Sequence, residues 1–149
     1  MENSIQKPWF WMEPDLVPLR PGWLDILQEE YNRCGKDVMG SVVPGMGHVN
    51  GTSIYPPNLF TMCPMLFSTP NGQWAFDMVM HNEIAHSLHD ASHLMQHAWT
   101  MSGSTLSPHG GGELPSFMSP QSLGMLLPTA VTFHRVKDTS LIQRLRECR

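Results

Sequence analysis

Two acidic residues, Glu13 and Asp15, carry the clearest chemical signal because they directly follow a short, strongly apolar run. That run, residues 9–12, contains three large aromatic side chains and a methionine, which is typical of a strand buried on both faces in the centre of an α/β sheet. Pro14 separates the acids and cannot donate a ladder hydrogen bond, so the strand should end there. Two carboxylates at the end of a strand can bind a hard divalent cation; the alternative is a polar turn with both acids solvated.

A second set of potential metal ligands is a group of histidines within one segment. Its members are His81, His86, His89, His93 and His97. A helix is predicted to begin near residue 75 and run to about 88, and its continuation to 98 would give one apolar stripe with most of these histidines on the opposite, solvent face. Imidazoles one helical turn apart can chelate a metal, but the order H-x-E-x-x-H departs from the H-E-x-x-H zinc motif, so a solvated polar face is favoured.

A glycine-rich stretch, residues 45–52, is predicted to form a loop that allows close approach of the backbone to a bulky ligand. His48 and Asn50 would present polar side chains along that loop. The alternative is an ordinary surface turn.

The remaining elements follow from hydrophobic periodicity and from turn residues. The predicted elements are a helix over 23–34 stopped by Gly35, a strand over 38–43, a short strand over 53–57, a strand over 130–133 that ends at His134, and a final helix over 141–146. Residues 58–74 show no clear period and are predicted to be irregular.

Composition limits the classes of function. The 149 residues allow one domain at most, and the net charge of −4 without a basic block argues against nucleic acid or an anionic membrane as the main partner. The three cysteines form no C-x-x-C pair, which favours reduced thiols and a cytoplasmic location. No apolar run approaches the roughly 18 residues that a membrane span needs.

Residues 11–24 resemble a known pattern. The stretch Trp-Met-Glu-Pro-Asp, followed by Val-Pro-Leu-Arg-Pro-Gly-Trp-Leu, is similar to the metal-binding acidic motif and following helix of glycosyltransferases with the A-type fold, especially bacterial and phage-type enzymes. Further similar blocks are residues 47–51 with 55–56, 75–77, 94–99 and 128–141. The resemblance therefore covers nearly the whole chain, from about residue 9 to 142.

The resemblance implies an α/β fold, a partial glycosyltransferase A-type fold with a short mixed sheet, flanking helices and long loops. It implies that Glu13, Asp15 and His134 are ligands of Mn²⁺ or Mg²⁺, and that Lys137 lies near the diphosphate of a nucleotide-sugar donor. It also implies that Asp77 orients the acceptor hydroxyl or serves as the catalytic base. His48 and Asn50 would then line the acceptor side or the donor-sugar side.

The chain departs from the family pattern at its start. Family members place a nucleotide-binding half ahead of the acidic motif, whereas only eight residues precede Trp9. Residues 1–149 are therefore expected to form a single domain that resembles the metal- and acceptor-binding half. The nucleotide-binding half would be absent, or would be supplied by a partner chain.

Three functions are compatible with these observations. The first is a metal-dependent glycosyltransferase-type region that transfers a sugar from a nucleotide sugar to a glycan or another hydroxyl acceptor. The second is a non-catalytic, histidine-rich module for metal binding or interaction, which His89 and His93 would serve. The third is a hydrolase with Glu13 and Asp15 as its carboxyl pair, and it is disfavoured because acids two residues apart lie side by side rather than flanking a bond.

Overall fold

The computed structural model describes residues 7–44, 47–68, 74–97, 124, 126–134 and 139–147. Its strands are β1 (Trp9–Trp11), β2 (Leu16–Pro18), β3 (Val38–Val42), β4 (Val49–Tyr55), β5 (Leu88–Asp90), β6 (Met95–His97) and β7 (Thr132–His134). Its helices are α1 (Trp23–Cys34), α2 (Leu59–Met62), α3 (Met65–Ser68), α4 (Phe76–Val79), α5 (His81–Ile84), a 3₁₀ turn (Ala85–Ser87) and α6 (Ser140–Glu147). Among the described residues, no helix has the length and apolar character needed to cross a membrane.

The strands form two small mixed sheets, which confirms the α/β class but divides the predicted sheet in two. The first sheet has the order β1-β4-β3-β5, in which β3 and β5 are parallel and the other neighbours antiparallel. The second sheet has the order β2-β7-β6, in which β7 pairs antiparallel with β2 and parallel with β6. The turn between β1 and β2 carries the chain from one sheet to the other.

The first sheet packs against helices on both faces. On one face, Leu27 of α1 packs against Met39 and Ile54 of the sheet. On the other face, Tyr55 packs against Leu59 and other side chains of the short helices. Successive residues of β4, such as Ile54 and Tyr55, thus point into two different apolar clusters, because successive side chains of a strand lie on opposite faces of the sheet.

Several predicted elements are confirmed. Helix α1 has the predicted bounds, and Gly35 ends it with a left-handed φ of 64°. Strand β3, strand β7 ending at His134, and the final helix α6 also lie where periodicity placed them.

The prediction that the aromatic run forms a central strand is wrong. Strand β1 lies at one edge of the first sheet, and its residues are half-buried or exposed. Trp9 packs on Tyr55 on one face of the sheet, whereas Phe10 packs on Trp23 on the other. Apolar side chains on both faces therefore reflect layers above and below an edge strand, and do not fix the place of that strand in the sheet.

The predicted glycine-rich loop is wrong over its second half, whereas residues 47–48 belong to no strand or helix and residues 45–46 lie outside the described residues. Residues 49–52 belong to β4, a fully buried strand between β1 and β3. The strand satisfies its own polar groups, since Ser53 Oγ donates to Asn50 O at 2.6 Å and Tyr55 Oη donates to Gly51 O at 2.9 Å. Glycine and small polar residues therefore mark close packing here and not a loop.

The long helix predicted from residue 75 onward is replaced by short helices and two strands. Helical structure ends with the 3₁₀ turn at Ser87, and Leu88 begins β5. Asp90 Oδ1 then accepts a 2.9 Å hydrogen bond from Ser92 N, which forms a local turn after β5. His97, predicted on a solvent face, is instead a buried residue of β6. The segment predicted as irregular contains α2 and α3.

Replacing Gly40 by alanine is expected to destabilise the fold by roughly 1–3 kcal/mol because the site is overpacked by an added methyl group. A Cβ at Gly40 would collide with the Ser53 hydroxyl and would lie 2.6 Å from Val49 Cγ2. Chemical denaturation of the wild type and Gly40→Ala measures the difference. Gly35→Asn is the matched control, since Gly35 has no neighbour within 4 Å of its Cβ position and asparagine tolerates a left-handed φ. Equal losses in the two variants would contradict the packing argument.

Candidate metal centre

A four-residue turn presents both acidic side chains where the two sheets meet. Leu16 N donates to Glu13 O at 3.1 Å, which closes the turn over Pro14 and Asp15. Proline suits the second position of such a turn because its ring fixes φ near the required value. The turn therefore ends β1, begins β2, and leaves the Glu13 and Asp15 side chains close together.

Strand pairing brings His134 to this turn from the far end of the sequence. Leu16 of β2 is the partner of His134 in β7, so His134 lies beside Asp15. His134 Nε2 is 3.0 Å from Glu13 Oε2 and 3.0 Å from Asp15 Oδ1. The proximity of Asp15 and His134, on which the sequence-based hypothesis depends, is therefore observed.

The centre is buried on one side and accessible on the other. The side chains of His134 and Asp15 are only 8% and 12% exposed, whereas that of Glu13 is 34% exposed. The three donor atoms, one imidazole nitrogen and two carboxylate oxygens, all lie within 4.8 Å of one another. In the part of the chain that the structure describes, no other group of three such residues meets this criterion.

This donor set fits a divalent ion of intermediate hardness. Mg²⁺ and Ca²⁺ prefer oxygen ligands alone, while Mn²⁺ accepts carboxylates together with an imidazole. Two carboxylates also supply the negative charge that offsets the charge of a divalent cation. The donor set is therefore compatible with Mn²⁺, one of the two cofactors expected from the sequence.

Strand β4 holds the Glu13 side of the centre in place. Glu13 N donates to Thr52 Oγ1 at 3.4 Å. A Cβ on Gly51 would collide with Glu13 Oε1, so the missing side chain provides the space that the carboxylate occupies. The glycine in His-Val-Asn-Gly-Thr is thus explained by the acid that approaches it.

His97 is a residue of this region that sequence reasoning missed. It is the β6 partner of His134, and the two imidazole rings meet edge to face with centroids 4.8 Å apart. His97 is almost fully buried, so its ring restricts the rotation of the His134 ring. The misleading signal was the apparent helical period, which placed His97 on a solvent face.

A second polar pair lies next to the centre. Burial raises the pKa of the Asp77 carboxyl, the positive charge of His48 opposes that shift, and the negative charge of Glu13 adds to it. Burial also lowers the pKa of the His48 imidazole, against the influence of Asp77. The shift of the Asp77 pKa is toward neutral pH, where a carboxyl can accept or donate a proton in catalysis. The shift of the His48 pKa is away from neutral pH and favours the uncharged imidazole.

Two further predicted residues have different outcomes. Asn50 lines a closed gap between the sheets together with His97 and His134, and this gap is too small to hold a water molecule. Asn50 Oδ1 accepts a 3.4 Å hydrogen bond from Thr52 N. Asn50 therefore lies behind His134, on the buried side of the centre. Lys137 lies outside the described residues.

The other histidines of the segment 81–97 do not gather into a metal site within the described ranges. His89 Nε2 lies 2.7 Å from Glu30 Oε1 and so joins β5 to α1. His93 is exposed, and the His81 ring faces that of His48 with centroids 6.2 Å apart. The histidines thus serve separate local contacts.

Comparison of the chain with models of protein families, with curated proteins and with solved structures gives no match. The functional argument therefore depends on the geometry of Glu13, Asp15 and His134 and on their surroundings. The resemblance of the acidic motif to A-type glycosyltransferases stays a prediction.

Proposed function

We propose that the chain is the metal- and acceptor-binding part of a metal-dependent glycosyltransferase. The observation that supports this proposal is the convergence of Glu13, Asp15 and His134 from opposite ends of the chain. In the acidic motif that the sequence resembles, carboxylates and a later histidine hold the cation that binds a nucleotide sugar. His134 and Asp15 are 119 residues apart in the sequence, so their contact is made by the fold and not by local sequence.

The chemistry of sugar transfer explains why such a centre is useful. Transfer breaks the bond between the anomeric carbon and a phosphate oxygen, so the leaving nucleoside diphosphate gains negative charge. A divalent ion bound at this centre supplies Lewis-acid stabilisation of that diphosphate, which is worth several kcal/mol. Asp15 and His134 provide the buried ligands, and the more exposed Glu13 lies on the side open to substrate.

Asp77 is suited to act on the acceptor hydroxyl. Its raised pKa brings the carboxyl closer to neutral pH, where a general base transfers protons most effectively. The charge of His48, when this imidazole is protonated, lowers the pKa of Asp77, whereas burial lowers the pKa of His48 itself. We therefore assign Asp77 the role of acceptor base and His48 the role of positioning it.

The two competing functions have less support from the described residues. The histidine-rich module would need His89 and His93 together, but His89 is paired with Glu30 and His93 is exposed to solvent. A carboxyl-pair hydrolase would need Glu13 and Asp15 on opposite sides of a bond, whereas both approach the same imidazole nitrogen.

Asp15→Asn is expected to weaken Mn²⁺ binding by at least about tenfold, because the affinity of such a site depends on the charge of its ligands. Isothermal titration calorimetry, or the electron paramagnetic resonance signal of free Mn²⁺, measures the change. Asp25→Asn is the matched control, since Asp25 is an exposed acid in the first turn of α1. Equal Mn²⁺ affinity in Asp15→Asn and the wild type would contradict the proposed centre.

Binding of Ni²⁺ or Zn²⁺ that is lost in a His89→Ala, His93→Ala double variant would support the histidine-rich module instead.

Uridine diphosphate is expected to bind residues 1–149 only together with Mn²⁺. The expected dissociation constant is about a millimolar or weaker, because these residues resemble only the metal- and acceptor-binding half of the family's domain. Equilibrium dialysis with and without Mn²⁺ measures the retained nucleotide. Uridine, which lacks the diphosphate, is the control ligand, and Asp15→Asn should abolish retention. Retention that is independent of Mn²⁺ would contradict binding of the diphosphate through the metal ion. A sub-millimolar dissociation constant would show that the chain binds the nucleotide by itself.

A further inference from the structure

An exposed aromatic surface lies beside the candidate metal centre. The Trp11 side chain at the end of β1 is 48% exposed, although it is only two residues before Glu13. Its ring meets the partly buried Phe76 ring edge-on, with centroids 5.8 Å apart and an angle of 66° between planes. We refer to Trp11 and Phe76 as the aromatic platform. Phe76 also contacts the buried Tyr55 ring, so the platform is anchored to the core.

One glycine separates this platform from the metal centre. The Cβ position of Gly51 lies 3.6 Å from Phe76 Cε1 and would collide with Glu13 Oε1. The Phe76 ring and the Glu13 carboxylate therefore flank the same piece of bare backbone. Asp77 follows Phe76 in the chain, and its pKa responds to the charge of Glu13. The Glu13 carboxylate therefore borders the aromatic platform, and Asp77 is the chain neighbour of Phe76.

The chemistry of this surface is selective. Carboxylates accept hydrogen bonds, and together with Asp15 they make the surroundings of the platform acidic. Anionic groups would be repelled from the ring, while a neutral molecule with many hydroxyl donors would not. A pyranose presents one apolar face of C–H groups and a rim of hydroxyls. That combination complements a flat aromatic side chain with hydrogen-bond acceptors beside it.

We propose that Trp11 binds the apolar face of the acceptor sugar, and that a hydroxyl at the rim of that sugar points toward Asp77. This inference rests on the proposed function for the role of the sugar as acceptor, but stacking on Trp11 requires no metal. The acceptor is then a pyranose glycoside, and Trp11 determines specificity for it.

Saturation-transfer NMR without metal tests the aromatic platform. The probes are methyl β-D-glucopyranoside, methyl β-D-galactopyranoside, methyl α-D-mannopyranoside and N-acetylglucosamine, with uridine and tetramethylammonium as competing ligand classes. At least one glycoside should receive saturation at its ring C–H protons from the wild type. Trp11→Ala should weaken that binding by about tenfold, as expected for loss of an aromatic contact, and Trp11→Phe by less.

Phe67→Ala is the matched control, because Phe67 is a 74% exposed aromatic residue whose ring contacts Phe60 and belongs to neither the platform nor the metal centre. This variant should bind the glycoside as the wild type does. Thermal melting shows whether each variant is folded. If Trp11→Ala does not fold, Trp11→Phe provides the test instead. Mn²⁺ binding should be unchanged in all three variants, so failure of the metal centre and failure of the platform give different results.

Three results would overturn the inference. The first is that none of the four sugars receives saturation from the wild type. The second is that saturation is equal in the wild type and Trp11→Ala. The third is that uridine or tetramethylammonium, and no glycoside, binds in a manner that depends on Trp11, which would assign the platform to a nucleobase or a cation.

Discussion

The pairing of β2 with β7 is the constraint on which the rest of this structure depends. Glu13 and Asp15 lie two residues apart, but they would meet no imidazole if β7 paired with β2 one position out of register. A shift of one residue would turn the His134 side chain to the other face of the second sheet, because side chains alternate along a strand. The registration of Leu16 against His134 therefore decides whether the two carboxylates meet an imidazole at all.

The surroundings of the centre show how a buried strand can support polar chemistry. Strand β4 is buried along its whole length and yet carries Asn50, Thr52 and Ser53. Burying such groups without hydrogen bonds would cost several kcal/mol, so each must find a local partner. Ser53 bonds to the backbone of its own strand, and Thr52 accepts from Glu13 N in the turn. Thr52 thereby connects β4 to the turn that presents Glu13 and Asp15.

The local elements could be predicted from sequence where the hydrophobic period was unambiguous. Helix α1 shows apolar residues at helical spacing and a glycine stop, and both were predicted correctly. The short strands β5 and β6 could not be predicted, because each is three residues long and depends on pairing with a distant strand. His97 was missed for the same reason. Glu13 and Asp15 were predicted as candidate ligands because two acids directly follow an apolar run, and His134 was predicted because the residues around it resemble the family pattern. Neither prediction depends on periodicity.

The turn that holds Glu13 and Asp15 joins the two sheets, so binding of an ion at the centre would affect the stability of the fold. An ion held by Glu13, Asp15 and His134 would bridge the turn between the sheets and β7, and Glu13 contacts β4 of the first sheet. Because such an ion binds the folded chain and not the unfolded one, its occupancy would add to the free energy of unfolding. Docking of the second sheet on the first and loading of the centre would then be thermodynamically linked, so each would favour the other.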